Sequence, residues 1–164
     1  MARYRRFDAL GAAVLPSPEL EDVRLRRAGL KAVMSGLEIA LAAPAPQREA
    51  WLDGVRDALD AVHEVWTRHI VETEAPGAFL DEVVQEAPRL ATPASRLRRE
   101  HNEILATITR AEKRLLVPPA DGYDAWVEEL RSDLTALLVG LARHRQRGAD
   151  LIYEAFDVDI GGGF

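Results

Sequence analysis

The sequence predicts an all-α fold, an antiparallel up-down four-helix bundle, on three observations. Apolar residues recur at helical spacing over four long stretches, proline- and glycine-rich breaks separate those stretches, and no segment shows the alternation of a half-buried strand. Helices joined by connections shorter than themselves pack most simply against their chain neighbours in opposite directions, with the apolar faces turned inward.

Each element has its own punctuation. Ser17-Pro18-Glu19 offers a capping serine followed by proline in the first helical position, and the apolar pattern then runs from Leu20 to about Leu41, where "APAPQ" stops it. The second long helix runs from about Gln47 to Ala75, with Trp51, Leu52, Val55, Leu59, Val62, Trp66 and Ile70 near one stripe and Pro76-Gly77 at its end. A short helix is expected over Phe79–Glu86. Thr92-Pro93 repeats the cap-then-proline signal and opens the third long helix, through Leu97, Ile104, Leu105 and Ile108 to about Leu116. "VPPADG" breaks the chain again. The fourth long helix starts near Tyr123 and carries Trp126, Leu130, Leu134, Leu137, Leu138 and Leu141 into the closing stretch "RHRQRGADLIYEAFDVDIGG". The organisation read from this is an N-terminal arm over 1–16, a bundle over 17–160 and a flexible tail over 161–164.

Composition narrows the function. With 164 residues, 48% of them hydrophobic and 29% charged, the chain is long enough for one domain with a substantial core. A net charge of −6, with the arginines scattered among acids, argues against nucleic acid and against an anionic membrane surface, both of which require a positive footprint. The absence of cysteine removes disulfides, thiolate nucleophiles and Cys-type metal sites, and fits a reducing cytoplasm. The basic then apolar start "MARYRRFDALGAAVLPSP" loosely imitates a secretory signal, but no small-residue cleavage site follows before Pro16, so it reads as an arm. No apolar run approaches the roughly 20 residues of a membrane span. There is no Gly-x-Ser-x-Gly, no serine placed near a His–acid pair and no glycine-rich loop leading into a helix, which disfavours side-chain nucleophilic hydrolysis and phosphate cradling.

Histidine carries the chemical signal. Of the four in the chain, His69 lies near the end of the second long helix and His101 about nine residues into the third, so in antiparallel neighbours the two come to similar heights. His144 lies on the fourth, and its height depends on where "VPPADG" places that helix. His63 stands six residues before His69, about 240° round the helix at about 100° per residue, and cannot share its face. Single interior histidines are ordinary hydrogen-bonded core residues; three on three helices near one end of a bundle invite a shared cation. Glu72, three residues after His69, lies on the same face and is a candidate carboxylate ligand, or else a solvated charge at a helix end.

"RHIVETEAPG", "PRL", "RLRREHNEIL" and above all "RHRQRGADLIYEAFDVDIGG" resemble bacterial hemerythrin-like domain proteins, over about Ala50 to Gly163 and most closely in the last helix. The resemblance implies a four-helix bundle that holds non-haem iron between histidines and carboxylates. It implies a histidine from the first helix, His-x-x-x-Glu from the second, His-x-x-x-His from the third and His-x-x-x-x-Asp from the fourth. This sequence keeps the leading histidines of the last three pairs, His69, His101 and His144, but has Thr73, Leu105 and Ala149 where their second members belong, and no histidine on the first helix. A five-histidine di-iron centre therefore does not carry over.

Substitute ligands stand nearby: Glu72 or Glu74, Glu38 or the Glu21-Asp22 pair on the first helix, and Asp150 one residue late on the last. Gly148 weakens the last helix at that point, and a one-residue π-bulge there would turn Asp150 to the face of His144. The metal set expected is thus His69, Glu72, His101, His144 and Asp150. Arg143, Arg145 and Arg147 are expected to pair at the surface with acids such as Asp150 or Glu154, Tyr153 and Glu154 to orient ligand imidazoles, and Ile160 to cover the open end. Two functions stay open. One is a non-haem metal protein binding one or two ions, iron first, with zinc or manganese as substitutes, acting on dioxygen, nitric oxide or peroxide or sensing iron. The other is a metal-free bundle serving as a structural or interaction module.

Overall fold

The computed structural model describes residues 18–45 and 47–156, with side chains over 28–45 and 47–155. The N-terminal arm, the Ser17 cap and residues 157–164, Ile160 among them, lie outside these. Among the described residues there is no strand. The elements are α1 (Pro18–Ala42), α2 (Arg48–Glu74), α3 (Phe79–Glu86), a 3-10 turn (Pro88–Leu90), α4 (Ala91–Leu116) and α5 (Tyr123–Phe156). None of the described helices is long and apolar enough to cross a membrane.

The breaks act where the proline and glycine positions place them. Gly77, with φ of 74°, makes the left-handed step between α2 and α3 that a side chain would strain, and its amide donates to Asp81 Oδ2 at 3.0 Å. Gly122, with φ of 70°, makes the same kind of step into α5. One expected signal is corrected: Thr92 caps nothing. The chain enters α4 directly from the 3-10 turn, which has Pro88 at its start, so α4 opens at Ala91 with Leu90 in the cap position and no side-chain cap.

α2 lies between α1 and α4, and α5 between α4 and α1. Contacts along these pairs run in opposed sequence order. From α2 to α4, Arg56 Nη2 donates to the Leu115 carbonyl at 2.7 Å, His63 meets Glu112 at 2.5 Å, and Trp66 Nε1 donates to the His101 carbonyl at 3.3 Å. From α4 to α5, Arg114 pairs with Asp133 at one end and Glu100 with Arg147 at the other. Three arginines supply carbonyl partners that the helix ends lack. Arg56 serves the end of α4, Arg131 Nη2 reaches the Ala43 carbonyl just past α1 at 2.8 Å, and Arg48 binds the Pro119 carbonyl in the connection to α5. Arg48 also lies over the Tyr123 ring, 4.1 Å from its centroid. These contacts pin the start of α5, and so decide the height at which its later turns arrive.

Apolar burial is divided in two. The larger cluster joins α1, α2, α4 and α5 and includes Leu37, Val55, Leu59, Trp66, Ile108, Leu134 and Leu141. A smaller one is built by α3, the 3-10 turn, the start of α4 and the far part of α5, through Leu80, Val83, Leu90, Leu97 and Leu151. On α4 the buried ladder reads Leu97, His101, Ile104; on α5 it reads Leu141, His144, Leu151. The two histidines thus occupy core positions in the layer where the clusters meet. Among the described residues they are the buried polar side chains.

Candidate metal centre

The site rests on Trp66, which is fully buried and borders all three imidazoles. Its ring centroid lies 5.2 Å from that of His69, 5.4 Å from His101 and 4.9 Å from His144. On that floor the rings turn toward one another. His144 Nε2 is 3.2 Å from His69 Nε2 and 3.2 Å from His101 Nε2, and one nitrogen from each of the three lies within 4.8 Å of the others.

The opposite edges of two rings are held by carboxylates. His101 Nδ1 contacts Glu74 Oε1 across from α2, and His144 Nδ1 lies 3.1 Å from Glu100 Oε2 across from α4. Glu100, only 13% exposed, also accepts from Arg147 Nη1 at 2.7 Å. A carboxylate accepts and cannot donate, so each Nδ1 carries the proton and each Nε2 is left as a lone pair. Two lone pairs facing at 3.2 Å repel unless a cation stands between them. Imidazole nitrogens lie about 2.0–2.1 Å from a bound transition metal, and a tetrahedral or octahedral angle sets two such ligands about 2.8–3.4 Å apart. The two spacings to His144 fall in that interval.

The electrostatics of His101 and His144 agree with neutral rings. Burial lowers the His101 pKa despite the opposing pull of Glu74. Burial, followed by the facing His101 and His69 rings, pushes His144 down to about 3, even though Glu100 accepts from its Nδ1. Neutral imidazole is the form that binds a metal.

The expected ligand set divides accordingly. The structure brings His69, His101 and His144 together; Glu72 and Asp150 are not in the group whose donor atoms converge. Glu72 is half-buried, one turn on from His69. Asp150 is exposed and accepts from Gln146 Nε2 at 2.8 Å. The physical reason is that α5 stays α-helical through Gly148 with no π-turn, so Asp150, six residues after His144, faces about 240° away. Glu38 on α1 is exposed, and the side chains of Glu21 and Asp22 lie outside the described residues. His63 belongs to a separate pair with Glu112.

Of the arginines of the closing helix, Arg147 finds an acid other than the two the sequence suggested. Arg147 pairs with Glu100, not with an acid of its own helix, and Glu154 accepts on its backbone carbonyl from Arg89 at 2.8 Å. Tyr153 is 66% exposed, and Glu74 and Glu100 engage Nδ1 of His101 and of His144. Where the resemblance expects second ligands, the Thr73 hydroxyl donates to the His69 carbonyl at 2.8 Å and Leu105 packs on the main core. Glu100 and Trp66 were missed as site residues by sequence reasoning. Glu100 directly precedes His101, and helix neighbours at that spacing face different ways, so no spacing rule on one helix marks it.

No family model matches the chain, and no curated protein or solved structure matches it.

Proposed function

We propose that the chain is a non-haem metal-binding protein with a hemerythrin-like, antiparallel up-down bundle, in which His69, His101 and His144 hold a divalent transition metal. The opposed order of contacts from α2 to α4 and from α4 to α5 supports the up-down arrangement. One observation carries the metal reading: three imidazole nitrogens converge in a buried layer while carboxylates hold the far edges of two of the rings. Iron is the ion the resemblance implies, and an imidazole donor set suits iron or zinc better than manganese. A bound ion with fewer protein ligands than its full coordination supplies a position for a small molecule such as dioxygen, nitric oxide or peroxide, or serves iron sensing. His69, His101 and His144 bind it, Glu74 and Glu100 orient the rings, and Trp66 with the surrounding apolar layer limits water.

A second reading, a metal-free bundle acting as a structural or interaction module, is favoured by Thr73, Leu105 and Ala149, which leave three ligand positions of the resemblance without a metal donor. Elemental mass spectrometry separates the two. Protein from iron-supplemented cells should carry metal at up to one or two equivalents. Metal that stays far below one equivalent after anaerobic reconstitution with ferrous iron or zinc selects the module.

A further inference from the structure

Two ions need two donor sets, with oxygen ligands to bridge or balance them. Among the described residues the converging set is three nitrogens, all within 4.8 Å of one another, with His144 Nε2 3.2 Å from each of the other two. From these atoms, and resting on the metal-binding reading above, we infer that the site holds a single divalent ion per chain, with Glu74 and Glu100 acting only through imidazole Nδ1 and never as its ligands.

Three further features support this. The Nδ1 and Nε2 atoms lie on opposite edges of the ring, so a carboxylate engaged at Nδ1 stands away from an ion at Nε2; Glu100 is held there a second time by Arg147. Trp66 packs against all three rings and closes that side of them to a second ion. Charge points the same way. Glu74, Glu100 and Arg147 together carry −1, so one divalent ion on neutral imidazoles leaves these groups at +1, whereas a second would raise them to +3 in a largely buried layer. Glu74 and Glu100 are therefore positioning residues. Each is supplied by the long helix before the one whose histidine it holds, α2 for α4 and α4 for α5, so the ligand orientation depends on how three helices pack.

The test is anaerobic titration of the chelator-treated full chain with ferrous iron, with zinc, and with cobalt(II) as a visible-spectrum probe, with stoichiometry read by elemental analysis. One equivalent should saturate the protein for each metal, and manganese should fail to displace zinc. Glu100→Gln and Glu74→Gln should still bind one equivalent but roughly 10–100-fold more weakly, with an altered cobalt spectrum and unchanged helicity. Should either variant fail to fold, Arg147→Ala, which loosens Glu100 without removing it, should show a smaller loss of affinity. Saturation at two equivalents overturns the one-ion inference and leaves the metal reading standing. No binding by any of the three metals removes that reading, and the inference with it. Unchanged affinity in both glutamine variants, or loss of all binding in a folded one, overturns the positioning role.

Discussion

The metal-free protein should lose stability steeply in mild acid because of the histidine layer. In the unfolded chain His144 takes up a proton near its ordinary pKa of 6.5, whereas burial and the facing rings hold it to about 3 in the fold. A depressed histidine is neutral in the native state over that window while the unfolded state binds the proton. Stability is therefore complete above pH 6.5 and drains away as the pH falls toward 3. At about 1.36 kcal/mol per pH unit, lowering the pH from 7 to 5 costs about 2 kcal/mol through His144. His101 is lowered as well and acts in the same direction. The assay is urea denaturation of chelator-treated protein at pH 7 and pH 5, with His144→Leu beside wild type. The variant keeps an apolar group in the layer and lacks the titration, so it should lose about 2 kcal/mol less between the two pH values. Equal losses in both proteins would refute the reasoning, since the acid sensitivity would then arise elsewhere.

Three other outcomes are expected. Trp66→Ala removes the floor under all three imidazoles and should cost about 3–5 kcal/mol, seen as a fall of roughly 10 °C in melting temperature, together with weaker metal binding. Gly148→Ala should stabilise the fold by about 0.5–1 kcal/mol with metal content unchanged, because Gly148 is helical and an added Cβ meets no neighbouring atom within 4 Å; destabilisation in a thermal melt would point to a distortion of α5 at that position. The melting-temperature difference between metal-loaded and chelator-treated protein should survive His63→Ala and vanish in His101→Ala, because ligation stabilises the folded state by roughly 2.7 kcal/mol at a metal concentration 100 times Kd. His63 sits in its own half-exposed pair with Glu112, and should matter by no more than about 1 kcal/mol.

The helices were legible because their ends are written in residues with few conformational options. Pro76-Gly77 and "VPPADG" stop α2 and α4 within a residue of the expected positions, and Phe79–Glu86 forms over the expected span. Thr92-Pro93 misled because the same residue types suit a helix start and the first turn just inside one. The 3-10 turn at Pro88 had already begun the winding, so the true start lies upstream of the threonine. The carbonyl partners given by Arg48, Arg56 and Arg131 had no sequence signal at all, since each joins segments at least 59 residues apart in the chain.

The same distinction divides the site. His69 and His101 were legible as a pair because height along two helices joined by a short excursion can be counted at about 1.5 Å per residue. His144 was conditional, since its height depends on the start of α5, which the arginine contacts fix only in three dimensions. Carboxylates were sought at spacings that share a face with a histidine of the same helix, and this rule proposed Glu72 on α2 and, with a bulge, Asp150 on α5. The acids that reach the rings obey a different rule. Glu74 lies five residues from His69 and serves His101; Glu100 adjoins His101 and serves His144. Their value lies across helix boundaries, where intrahelical periodicity carries no information. An acid from the neighbouring helix approaches the outer edge of a ring whose inner edge faces the bundle axis. That geometry places both carboxylates at Nδ1 and turns the Nε2 atoms inward, so the packing that hid Glu100 from the sequence, and gave Glu74 a ring edge to hold, also sets both apart from the converging nitrogens.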